Sequence, residues 1–105
     1  MRRFDVVRNR DSGNARRFPL LLVVQSDFLQ GLPTQVVVPM VRTAKLRDRP
    51  AELLNPVAQI EGEDYVLLTQ QLAAVPVATL GNTVANLESR RDDVVRALDF
   101  LFSGI

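Results

Sequence analysis

A chain of 105 residues, 47% of them apolar and 24% charged, is long enough for one domain with a hydrophobic core and has the balance of a globular protein. With no cysteine and no histidine it has no disulfides, no thiol or imidazole nucleophile, and no zinc or iron ligands beyond carboxylates. The formal net charge is +1, yet Arg2, Arg3, Arg8, Arg10, Arg16 and Arg17 against Asp5 and Asp11 give the first 17 residues +4, leaving −3 elsewhere. Such asymmetry suits an anionic partner, but arginines at a strand edge and in a polar turn are usually solvated, and without interleaved aromatics to stack bases the solvated reading is the better one. The longest apolar run, Leu20 to Val24, falls far short of the roughly 18 residues that span a bilayer. No apolar leader follows the N-terminus, so the expectation is a cytoplasmic protein without a membrane partner.

Phe4 and Val6 alternating with Asp5 predict a short strand with one buried face. Asn9 to Asn14 stops it, and Gly13 and Asn14, tolerant of positive φ, predict a hairpin through an irregular loop. The return strand spans Phe18 to Gln25; its unbroken Leu20–Val24 core predicts a central strand covered on both faces, with a C-terminal helix on one side. Ser26 to Pro33 is a loop that nevertheless carries Phe28, Leu29 and Leu32, either packed beneath it or exposed for a partner. Thr34 to Val38 is a β-branched strand ended by Pro39, which belongs at a strand end or sheet edge, with Met40–Val41 continuing beyond the break.

Arg42 to Asp48 has no clear pattern; Thr43 to Leu46 suits extended chain. Pro50 opens a single helical turn that Asn55-Pro56 ends. Val57–Ile60 and Tyr65–Thr69 are strands joined by the hairpin Glu61-Gly62-Glu63-Asp64, whose acids are too few for a calcium loop. Val75–Leu80 is a strand whose Pro76 predicts an edge or a bulge, and Gly81-Asn82 turns the chain towards the helix. That helix runs from Ser89 to the C-terminus. Val94, Leu98, Leu101 and Ile105 share one arc, Val95 and Phe102 flank it, and Asp92, Arg96, Asp99 and Ser103 lie opposite. Ser89 with Asp92 resembles a capping box, Asp92 and Asp93 suit the first turn, and Gly104 sits where a terminating glycine belongs. Phe100 falls on the polar side, where a partner or a loop would cover it. Five to seven strands without βαβ alternation make this a β-rich α+β domain over residues 1–105: a bent antiparallel sheet or small barrel with the helix across it.

No phosphate loop, nucleophile–base pair or metal-ligand cluster is visible, and no cofactor is implied. As an ordered set, however, Phe4-x-Val6, Val24-Gln-Ser-Asp27, Val38-Pro39, Asn55-Pro-Val57, Val75-Pro-Val77, Leu80-Gly81, Val84-Ala-Asn-Leu87 and the closing Phe102-Ser-Gly-Ile105 resemble the CcdB family. The resemblance covers nearly the whole chain, with a few extra residues around Asp11 to Arg16. It implies the small SH3-like barrel with a C-terminal helix shared with the MazF and Kid ribonuclease toxins, and the toxin role of a type II toxin–antitoxin module of the plasmid-maintenance kind. It further implies a homodimer, not an enzyme, whose chain ends bind the A subunit of DNA gyrase and trap the cleaved DNA complex. A CcdA-like antitoxin with a disordered C-terminal segment neutralises it, and DNA binding and transcription regulation come only through that complex. Carried over by position, the gyrase contacts are Asp99, Phe102, Ser103, Gly104 and Ile105, and the antitoxin contacts are Phe4, Phe28, Leu29, Asp99 and Phe102.

One departure stands at the end. The family has Trp where this chain has Ser103. That ring packs on a gyrase arginine in family members, and losing such an anchor costs about 2 kcal/mol, roughly thirtyfold in affinity. Either gyrase poisoning is weakened or recognition moves to Phe100 or Phe102. A second family Trp is Tyr65, expected in the core. Two other functions compete: a MazF/Kid-like endoribonuclease using Arg16 or Arg17 with an acid such as Asp27, and a non-toxic antitoxin-binding module.

Overall fold

The computed structural model describes residues 1–104. Seven strands form one sheet: β1 (Asp5–Asn9), β2 (Leu20–Val23), β3 (Thr34–Arg42), β4 (Val57–Ile60), β5 (Glu63–Leu67), β6 (Ala73–Pro76) and β7 (Leu80–Asn86). One helix, α1 (Arg91–Ser103), follows. The order is β4-β5-β3-β2-β1-β7, with β6 also on β3, and every pairing is antiparallel. Phe4 and Val6, Leu20 and Leu22, Val38 and Met40, Ala58 and Ile60, and Tyr65 and Leu67 all reach one cluster with Val94 of the helix. Strands from β4 to β1 can share one core only if the sheet curls around it, and it forms a half-barrel with α1 on the inner side.

The unbroken β2 run is explained by this curl. Leu20 and Leu22 face the helix-side core, while Leu21 and Val23 join Val7, Val37 and Leu80 on the other face. At about 1.5–3 kcal/mol per fully buried aliphatic side chain, this central strand anchors both layers. Strand β1 is likewise buried on both faces, Val6 inward and Val7 outward, not on one as the alternation with Asp5 predicts.

Other differences have local causes. Pro39 lies inside β3, opposite Leu21 of β2. Val24 N–H donates to the Val36 carbonyl and Leu68 N–H to the Pro39 carbonyl, so the alternation aims the proline nitrogen away from β2. On that side β6 pairs as far as Val37 and β5 begins at Met40, so the missing donor falls in the gap between two partners. Pro76 does occupy an edge, since β6 pairs only with β3. Gly81-Asn82 is not a turn out of the sheet but part of β7, which pairs with β1 through two register shifts. A Cβ at Gly81 would stand 3.1 Å from the Arg8 carbonyl oxygen, so glycine permits that close passage.

The β1–β2 loop closes through Asn14 and Ala15 N–H bonds to the Asp11 carbonyl, and neither Gly13 nor Asn14 uses positive φ. Thr43–Lys45 is a 3-10 turn rather than extended chain, and 52–54 is a turn with Leu53 at φ 69° rather than a helical one. The predicted β4–β5 hairpin forms, but its turn is only Glu61 and Gly62, at φ 52° and 82°; Glu63 and Asp64, expected in the loop, pair with Ile60 and Gln59 as the start of β5.

Candidate functional site

A 3-10 turn, Glu88–Arg90, leads into α1, and the expected Ser89 capping box does not form. Asn86 Oδ1 accepts the Glu88 N–H instead, and Arg90 Nε pairs with Asp93 at 3.0 Å. Val94 and Ala97 are buried, whereas Leu98 and Leu101 are only half-buried, so the grip on the core loosens towards the C-terminus. The helix rests on the turn Thr69–Gln71. Gly104 closes it in the left-handed conformation at φ 71°, its N–H donating to the Phe100 carbonyl at 2.9 Å, as the glycine predicts.

On this last stretch Asp99, Phe102 and Ser103 stand three and four residues apart and emerge on one face. All are exposed, Phe102 by 72% and Phe100 by 37%. The helix end therefore gathers Asp99, Phe102, Ser103 and Gly104, while Ile105 lies outside the described residues. Phe102 is the more exposed of the two rings expected to stand in for the missing Trp.

The second surface is the loop after β2, where polar side chains bind the backbone from within. Ser26 Oγ accepts the Phe28 N–H, Gln25 Nε2 donates to the Leu29 carbonyl at 2.7 Å, and Gln30 Nε2 donates to the Gln25 and Ser26 carbonyls. With the interior taken up by amides, the apolar side chains turn outwards: Phe28 is 98% exposed, and Leu29 and Leu32 about half. A large aromatic held in water on a tied loop gains nothing within the chain.

Phe4, expected on the same surface, is core instead, with 1% exposure. It is a non-glycine residue at φ 71°, fixed by its N–H bond to the Val23 carbonyl at 2.7 Å and by its carbonyl, which accepts from Leu87 N–H at 2.8 Å. The Arg3 and Arg91 guanidinium carbons lie 4.7 and 5.9 Å from its ring centre, and Arg3 N–H donates to the Asp27 carboxylate at 2.7 Å. Phe4 thus links the exposed loop to the first turn of α1, and Phe102 lies about 17 Å further along the axis. The residues expected to bind an antitoxin form two groups, at the start and end of the helix. An extended segment of about five residues spans that separation.

The N-terminal arginines do not act as one patch. Arg8 pairs with Glu61 at 3.1 Å, Arg3 is taken up at Phe4, and Arg16 and Arg17 line a separate groove that does not include Asp27. Glu63 holds Arg42 at 2.7 Å, raising that guanidinium further, so two acids of the hairpin are spent on ion pairs. Tyr65 is buried beside Arg42, in the core as expected. Among the described residues no three acidic side chains gather as a metal site, and no helix is long and apolar enough to cross a membrane.

Two solved structures share this architecture. One, "Endoribonuclease in complex with its cognate antitoxin from Mycobacterial species", is 16% identical with a TM-score of 0.76, over 97% of this chain and 94% of that one. The other, "Mycobacterium tuberculosis toxin MazF-mt6", is 17% identical with a TM-score of 0.65, over 79% and 84%. These likenesses establish the fold of MazF-type toxins. The family model described as "CcdB protein" matches residues 3–104. With a curled antiparallel sheet, one C-terminal helix and that match over almost its whole length, the chain belongs to the CcdB family of toxins from toxin–antitoxin pairs.

Proposed function

We propose that this protein is a gyrase-directed toxin that acts by binding and not by catalysis. As a homodimer it engages the A subunit of DNA gyrase through its two helix ends and holds the enzyme on cleaved DNA. A disordered antitoxin segment neutralises it in the cytoplasm, and it meets operator DNA only in that complex. The observation that carries the reading is the last turn of α1, where Asp99, Phe102 and Ser103 share an exposed face beyond the packed part of the helix. The exposed Phe28 and Leu29 and the ring of Phe102 supply the apolar surface that an unstructured peptide needs to fold against.

Purified protein added to gyrase supercoiling and cleavage assays tests this reading. Cleaved complexes should accumulate with wild-type gyrase and be absent with a toxin-insensitive enzyme of intact activity. No effect on either enzyme at high toxin concentration removes gyrase as the target while leaving the family assignment untouched.

A further inference from the structure

Away from these surfaces, a groove of about 830 Å³ opens over Val41 and Leu68 on the outer face of the sheet. Its rim brings Arg16 and Arg17 of the β1–β2 loop together with Lys45, Arg47 and Arg49 from the segment after β3. Asp48 is the one carboxylate among the lining residues. Five cations against one acid make +4 in a chain whose net charge is +1, so the rest of the molecule carries −3. All five are exposed, and none enters an ion pair among the described residues, whereas Arg8, Arg42, Arg90 and Arg91 each have one. Like charges collected from two distant segments, unpaired and with one carboxylate among them, repel one another, and an anion seated between them relieves that cost.

We propose that the groove binds an acidic segment of a protein partner. Four of its five cations are arginines, whose forked donors match carboxylates. Half-buried Leu46 gives an apolar contact, and the exposed amides of Gln70 and Gln71 on one wall suit a peptide backbone. No aromatic side chain lines the groove to stack a base, which favours a peptide over single-stranded nucleic acid. The inference rests on the antitoxin reading above for the source of the segment. Gln70 and Gln71 belong to the turn on which α1 rests, so a peptide lying along the helix reaches the groove across that turn.

Fluorescence anisotropy with the intact protein tests the groove. The probe is a labelled peptide of alternating glutamate and leucine, with labelled oligouridylate run in parallel. The peptide should bind more tightly than the RNA, and the double variant Arg16→Glu/Arg47→Glu should weaken it by about tenfold or more. Lys45→Glu, on an exposed side chain, gives an independent smaller loss, and Arg8→Gln, outside the groove, gives none. Equal peptide affinity in the double variant, or tighter binding of oligouridylate, overturns the proposal. The variant Phe28→Ser/Phe102→Ser separates the two readings. It should abolish neutralisation at the apolar surfaces yet leave binding of the acidic probe unchanged, and loss of probe binding there would place the acidic peptide elsewhere.

Discussion

Under the proposed gyrase contact, Ser103 is the position at which one side chain matters most. On the exposed face shared with Asp99 and Phe102, an indole at this position would be free to enter a pocket on the target. Ser103→Trp is expected to lower the concentration needed for gyrase inhibition roughly thirtyfold. An unchanged dose–response would show that the last turn does not form the contact. Phe28 and Phe4 then make an instructive pair. Phe28 is 98% exposed, so Phe28→Ser should shift unfolding by less than about 0.5 kcal/mol while weakening antitoxin binding. Phe4 is 1% exposed in a left-handed backbone, so Phe4→Ala should cost about 3–5 kcal/mol by denaturant titration. The family resemblance placed both rings on one surface, whereas the alternation of Phe4 and Val6 with Asp5 put Phe4 on a buried face. The structure has Phe4 inward, under two arginines.

At the scale of elements, what was legible had strong local chemistry. The unbroken β2 run, the Glu61-Gly62 hairpin and the amphipathic α1 each announce themselves within a few residues. What was missed depended on neighbours. Pro39 reads as a strand end until one sees that it stands between two partners on one side of β3, and Gly81-Asn82 reads as a turn until β1 is laid beside it. The β1–β7 packing gives a direct check. Gly81→Ala would place a Cβ 3.1 Å from the Arg8 carbonyl and should cost about 1–2 kcal/mol, whereas Gly31→Ala, in open space, should be near neutral. On the alkaline side the Arg42–Glu63 pair offers no comparable handle. A guanidinium raised by its neighbouring carboxylate loses that contribution only in strong alkali.

Considered whole, the molecule combines a segregated charge with apolar surfaces at both ends of one helix. The paired-end mechanism requires two chains, so sedimentation should give twice the 11.7 kDa chain mass, and the thermal midpoint should rise with protein concentration. A monomer at micromolar concentration would remove that mechanism. The basic groove was not legible because its cations lie in two stretches separated by two strands, and Arg42 to Asp48 carried no periodicity to place them. Amide hydrogen exchange gives the gap at Pro39 a thermodynamic meaning. The β4–β5 hairpin is hydrogen-bonded to β3 along three residue pairs, and the chain leaving it forms both the seat of α1 and a wall of the groove. A local opening that frees this hairpin would release both binding surfaces in one event. Ligands at the helix and at the groove would then protect the same amides and favour each other's binding without touching.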